Sequence, residues 1–168
     1  SSKIRASLLA TLMALPLAGL TALVLSTDAV AQTAGGWRKE VADKLTGAQA
    51  AAQKGSFNEA IRLLKEAKAK APLSPQEEQG INELLLWAAS GAKDHKLVLA
   101  TVDERLATGR VTGADVTRKL RLKATTHYAL RDCRNAAATF EKLGNSLTAD
   151  DLALLATSQM QLGNNTGA

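Results

Sequence analysis

Apolar and small residues recur along this chain at spacings of three and four, the period of a helix with one face turned inward. In "FNEAIRLLKEAK" Phe57, Ala60, Ile61, Leu64 and Ala67 share a face, while Arg62, Lys65, Glu66 and Lys68 lie elsewhere. Pro72 prevents continuation. The pattern predicts helices over about residues 37–54, 57–71, 75–90, 95–108, 115–130 and 133–143, and a last one from about 149 stopped by Gly163. Ser56 with Glu59, and Ser74 with Glu77, have the spacing of a capping box, and Pro75 suits a first turn. Gly47 interrupts the first helix at a cost of about 1 kcal/mol against alanine unless close packing needs it. No stretch alternates with period two over a useful length, so no strand is predicted.

The predicted helices come in pairs, and the pairs repeat. Ser56, Asp94 and Asp132 each open the second helix of a pair and lie 38 residues apart, with Asn164 following 32 later. Helix pairs at such a period signal stacked hairpins, because one hairpin cannot bury its apolar face alone. The expected fold is therefore all-α, an α-solenoid of stacked antiparallel helix hairpins. Three hairpins and a seventh helix make a right-handed stack over residues 37–168. The last hairpin has one helix. Either the repeats continue beyond residue 168, which the repeat logic favours, or the seventh helix is a solvating cap. A cap's polar face would come from Asp150, Asp151, Thr157, Ser158, Gln159 and Gln161.

Residues 1–31 form a different kind of segment. Lys3 and Arg5 precede the uncharged run "LLATLMALPLAGLTALVL", and Ala29-Val30-Ala31 follows. Basic start, apolar middle and small-x-small end are the parts of a secretory signal peptide. The alternative is an uncleaved anchor, since the run approaches spanning length. Residues 32–36, "QTAGG", read as a linker. Loss of Lys3, Arg5 and Asp28 changes the net charge from +5 to +4. That mildly basic balance in an exported chain points to acidic peptides, anionic lipids or envelope polymers rather than chromosomal DNA. The single cysteine, Cys133, excludes an intramolecular disulfide.

Gly55-x-Phe57-x-x-Ala60, then Leu64, Ala67 and Pro72, resembles the second half of a tetratricopeptide (TPR) repeat. Asp132, Ala136, Phe140 and Leu143, with Ala124 on the preceding helix, repeat it more weakly. In the middle unit His95, Val98 and Val102 stand at the corresponding positions. The order of the whole is similar to exported TPR proteins of Gram-negative bacteria. The resemblance implies a periplasmic scaffold that binds a peptide or protein segment in a groove lined by the first helix of each pair. By it, Gln49, Trp87, Arg118, Arg121, Thr125 and Tyr128 face that groove. Asparagine is missing from the positions of the two-carboxylate clamp, so a chaperone-tail ligand is not implied.

The residues themselves say what such a groove could do. Arg118, Arg121, Thr125 and Tyr128 fall at spacings of three and four on one stripe. Two arginines and an aromatic can hold a carboxylate and stack on a side chain. The plainer alternative is a solvated basic face, with Trp87 in the core between units. His95 and His127 have no His or Cys at metal-ligand spacing, so no metal or cofactor is expected. Cys133 reads as a small plug between helices, in the place of Phe57. Asp103-Glu104 and Asp150-Asp151 are helix neighbours about 100° apart and do not converge as acid and base. The expectation is a non-catalytic scaffold in the periplasm. The alternative is a membrane-anchored envelope assembly factor held in the inner membrane by an uncleaved N-terminal segment.

Overall fold

A computed structural model describes residues 37–165, so the segments read as signal peptide and linker lie outside the described residues. Among those residues the chain is all-helical. The helices are α1 (Lys39–Gln53), α2 (Phe57–Lys68), α3 (Pro75–Gly91), α4 (His95–Ala107), α5 (Ala114–Ala129), α6 (Cys133–Glu141) and α7 (Ala149–Asn165), with one 3₁₀ turn at Gly144–Ser146. No described helix is long and apolar enough to cross a membrane.

Three of the connections are the same turn. After α1 the Ser56 amide donates to the Ala51 carbonyl at 2.9 Å and the Gly55 amide to Ala52 at 2.9 Å. After α3 the Asp94 amide donates to Ala89 at 2.9 Å and Lys93 to Ser90 at 3.1 Å. After α5 Asp132 donates to His127 and Arg131 to Tyr128, both at 2.9 Å. Each is a Schellman motif, which needs a left-handed residue just past the helix. That residue is Gly55 (φ +77°), Lys93 (+56°) and Arg131 (+58°). The 38-residue period is thus a repeat of backbone conformation, although only the first turn carries the glycine it favours.

The caps vary. Asp94 accepts from the Leu97 amide at 3.1 Å and Asp132 from Asn135 at 3.3 Å. The Ser74–Glu77 box forms, with the Ser74 amide donating to Glu77 Oε2 at 2.8 Å and the Glu77 amide to Ser74 Oγ at 3.2 Å. The Ser56–Glu59 box does not. Ser56 makes no side-chain cap bond, and Glu59 takes Arg62 on its own helix instead, at 2.6 Å and 2.8 Å. Gly163 does not stop α7, which continues to Asn165.

Consecutive helices pack on one another, and α1 also touches α3 while α5 touches α7. The apolar core falls into three clusters. The first joins α1, α2 and α3 through Val41, Leu45, Ala60, Leu64, Ile81 and Leu85. The second joins Leu86 and Ala89 of α3 to Val98 and Val102 of α4, edged by Leu122. The third joins Ala124, Ala136, Phe140 and Leu143 to Leu154 and Leu155. Small residues set the spacing. A Cβ on Gly91 would lie 2.4–2.6 Å from the Phe57 ring, so the aromatic that opens α2 is seated against the end of α3.

Candidate functional site

The six residues expected to face a groove lie on α1, α3 and α5. Gln49, Trp87 and Thr125 occupy one repeat position, 38 residues apart. Trp87 is 43% exposed. It is therefore a surface residue and not the inter-unit core residue of the plainer reading.

The basic row of α5 is not free. Arg118 pairs with Asp115 one turn earlier. Lys119 reaches Glu83 of α3 at 2.6 Å. Lys123 pairs with Asp103 of α4. Arg121 is the most committed: Nε donates to both Asp151 oxygens at 2.8 and 3.0 Å, and Nη2 donates to the Ser146 carbonyl at 2.7 Å. Asp151 is buried and also accepts from the Thr148 amide at 2.9 Å. Burial pushes its carboxyl up, but the Thr148 and Arg121 donors outweigh that and hold it below the usual carboxylate range. Arg121 is thus a brace between α5 and the start of α7, and a ligand carboxylate would have to displace a buried partner. Arg118, whose pair is with an exposed neighbour, is the cation a ligand could take over at small cost.

Thr125 and Tyr128 line separate hollows. Thr125 donates to the Arg121 and Leu122 carbonyls at 3.0 and 3.1 Å and borders a cavity of about 190 Å³ with Ser90, His95, Leu122 and Ala129, where α5 meets α3 and α4. Tyr128 packs against the third core cluster and borders another of about 190 Å³ with Ala129, Arg131 and Gln161. Gln49 is half-buried on α1. The structure therefore joins Arg121 to α7 and places Thr125 against α3 and α4, but gathers no enclosed pocket from the six.

Two buried charged residues have no functional signature in the sequence. Glu77 is 1% exposed and accepts from the Arg38 amide (3.0 Å), Arg38 Nε (3.1 Å) and Arg38 Nη2 (3.3 Å) in addition to its cap. Arg105 is buried, and its Nε has no partner among the described residues. The repeat spacing could have flagged it, since Arg105 stands 38 residues from both Ala67 and Leu143, which are core residues.

The remaining candidates have structural partners. Cys133 is buried, with Sγ 2.7 Å from Gln161 Oε1, as a plug between α6 and α7. His127 Nδ1 lies 3.1 Å from Asp132 Oδ2. The Asn135 side chain, more than the neighbouring His127, holds the Asp132 carboxyl below its ordinary range against the opposing effect of burial. No group of three His, Cys, Asp or Glu able to hold a metal occurs among the described residues.

What the fold and site define is a class: an all-α chain of consecutively packed helices with a recurring hairpin turn and an internally neutralised basic row. Compared with protein-family models, with curated proteins and with solved structures, the chain matches none.

Proposed function

We propose that this chain is a non-catalytic interaction scaffold, an α-solenoid of the tetratricopeptide type exported to the periplasm. It holds a segment of another protein along the first helices of its pairs. The observation that carries the reading is Trp87. A tryptophan 43% exposed on the middle first helix, at the repeat position of Gln49 and Thr125, is the kind of anchor that supplies most of the affinity of a peptide interface. Arg118 adds a charge that an acidic ligand can recruit, and Thr125 and Tyr128 border the adjacent hollows. Arg121 supports the site by holding α5 to α7 and does not meet the ligand.

A displayed library of random peptides selected against the chain tests this. Selected peptides should share an apolar or aromatic anchor flanked by acidic residues. Their affinity should fall by about tenfold or more in Trp87→Ala, and by less in Arg118→Ala. Selection of no sequence family, or of peptides indifferent to Trp87→Ala, rules out the groove.

A further inference from the structure

α4 carries a buried cation that the described chain does not neutralise. Arg105 is 6% exposed, its Nε is enclosed, and its guanidinium forms no hydrogen bond or ion pair among the described residues. The acids that could serve it are taken. Asp103 pairs with Lys123, Glu104 with Lys68 and Asp115 with Arg118. Glu77, Glu78 and Glu83 of α3 each hold an arginine or lysine from another segment, and Asp94 caps α4. A buried charge is costly unless it is paired. A lysine or histidine in that position could shed its proton, but a guanidinium keeps its charge.

A second unpartnered donor stands level with it. Asn82 of α3 is fully buried, and its Oδ1 takes the Lys68 ammonium at 3.4 Å while its Nδ2 has no partner. The same ammonium pairs with Glu104, the chain neighbour of Arg105, so Asn82 and the Arg105 end of α4 lie at one level of the α3–α4 hairpin. The pair of Glu78 with Arg110 at 2.9 Å, one turn further along α3, fits the same antiparallel register. Two buried side chains thus bring donors and one positive charge to this level, and no carboxylate of the described chain is left to meet them. The guanidinium fork matches two oxygens of an oxyanion. A tetrahedral ion has a further oxygen out of that plane for the Asn82 amide, which a planar carboxylate lacks. We propose that Arg105 and Asn82 form a binding site for a small free oxyanion, phosphate or sulfate, where α3 meets α4.

Nuclear magnetic resonance on the full chain tests this, with inorganic phosphate added at constant ionic strength. The Arg105 Nε–H and Asn82 side-chain amide signals should move together and saturate with one Kd of about 1 mM, and sulfate should compete. Arg105→Lys keeps the charge but loses the fork, and Asn82→Leu keeps the volume but loses the amide. Each should weaken binding by about tenfold or more. In Arg105→Met the saturable shift of the Asn82 amide should vanish. Phosphate should also raise the urea midpoint of the wild type more than that of Arg105→Met, whereas a general salt effect stabilises both alike. Shifts that grow linearly with phosphate overturn the proposal, as does a saturable shift of the Asn82 amide that persists in Arg105→Met. An Arg105→Lys chain that binds as well as the wild type overturns the fork as the means of recognition.

Discussion

Glu77 is the residue whose replacement should report most directly on how the stack is held. Its carboxylate sits at the third position of α3 with 1% exposure, and all its polar contacts are donors: the Ser74 amide, the Arg38 amide and two guanidinium nitrogens of Arg38. Burial alone would raise the Glu77 pKa. The Arg38 side chain, the Ser74 and Arg38 amides and the Arg38 charge outweigh it and lower the value to about 2. A folded pKa below the unfolded one means the stabilisation is fully present above about pH 4.5 and is lost as pH falls toward 2. The fall from 4.5 to about 2 corresponds to at most about 3–4 kcal/mol. The Arg38 side chain is 38% exposed, so water screens part of the ion-pair component, and about 2 kcal/mol is the better expectation for Glu77→Gln at neutral pH. Glutamine keeps the shape but turns one acceptor into a donor facing donors.

Urea melts followed by helical circular dichroism at pH 7, 5 and 3 measure this. The wild type should lose stability between pH 5 and 3, while Glu77→Gln should start about 2 kcal/mol lower and lack that part of the loss, so that the two approach each other in acid. Arg38→Ala should lower stability less than Glu77→Ala, because the carboxylate then still accepts from the Ser74 and Arg38 backbone amides. Parallel pH profiles for wild type and Glu77→Gln would refute the assignment of Glu77 as the ionised brace.

Lys93 and Arg131 hold left-handed turn positions that glycine occupies without strain, so Lys93→Gly and Arg131→Gly should each raise unfolding stability by about 0.5–1 kcal/mol in urea melts, while Gly55→Ala should lower it by about 1 kcal/mol. Gly91→Ala drives a methyl into the Phe57 ring and should cost about 1–3 kcal/mol, and the cost should shrink in a Phe57→Ala background, read as a double-mutant cycle. Arg105→Met removes a buried Nε that has no partner and should stabilise the chain by about 1–3 kcal/mol in the same assay. Arg121→Ala leaves the buried Asp151 without its cation, and hydrogen exchange should quicken across residues 147–165 more than elsewhere.

The helices, the pairing and the 38-residue period were legible because they depend on local rules. Ala60, Ile61, Leu64 and Ala67 are buried where the three-and-four spacing puts them, and Asp94 and Asp132 cap where their positions suggest. What escaped the sequence depends on distance along the chain. Lys119 finds Glu83 36 residues away and Arg121 finds Asp151 30 residues away, so a row that looks strongly basic on one helix is neutralised across the fold. The same blindness hid Glu77, legible as a cap but not as the acceptor for Arg38, 39 residues earlier. Periodicity alone left Trp87 between a groove and the core, because it marks which residues share a face but not whether that face is covered.

That neutralisation bears on where a partner could gain affinity. An exposed ion pair is worth about 0–1 kcal/mol, so a ligand that merely exchanges one carboxylate for another on Arg118 or Lys123 gains little. Displacing Asp151 from Arg121 would cost more, because it strands a buried carboxylate. The uncommitted free energy of the surface is apolar. It lies in Trp87 on α3, in Leu130 at the C-terminal cap of α5, and in Leu152 and Met160 on α7, all exposed. Charge on this molecule chiefly locks one helix to the next, and under the proposed function recognition would fall to the few large apolar side chains that no described helix covers.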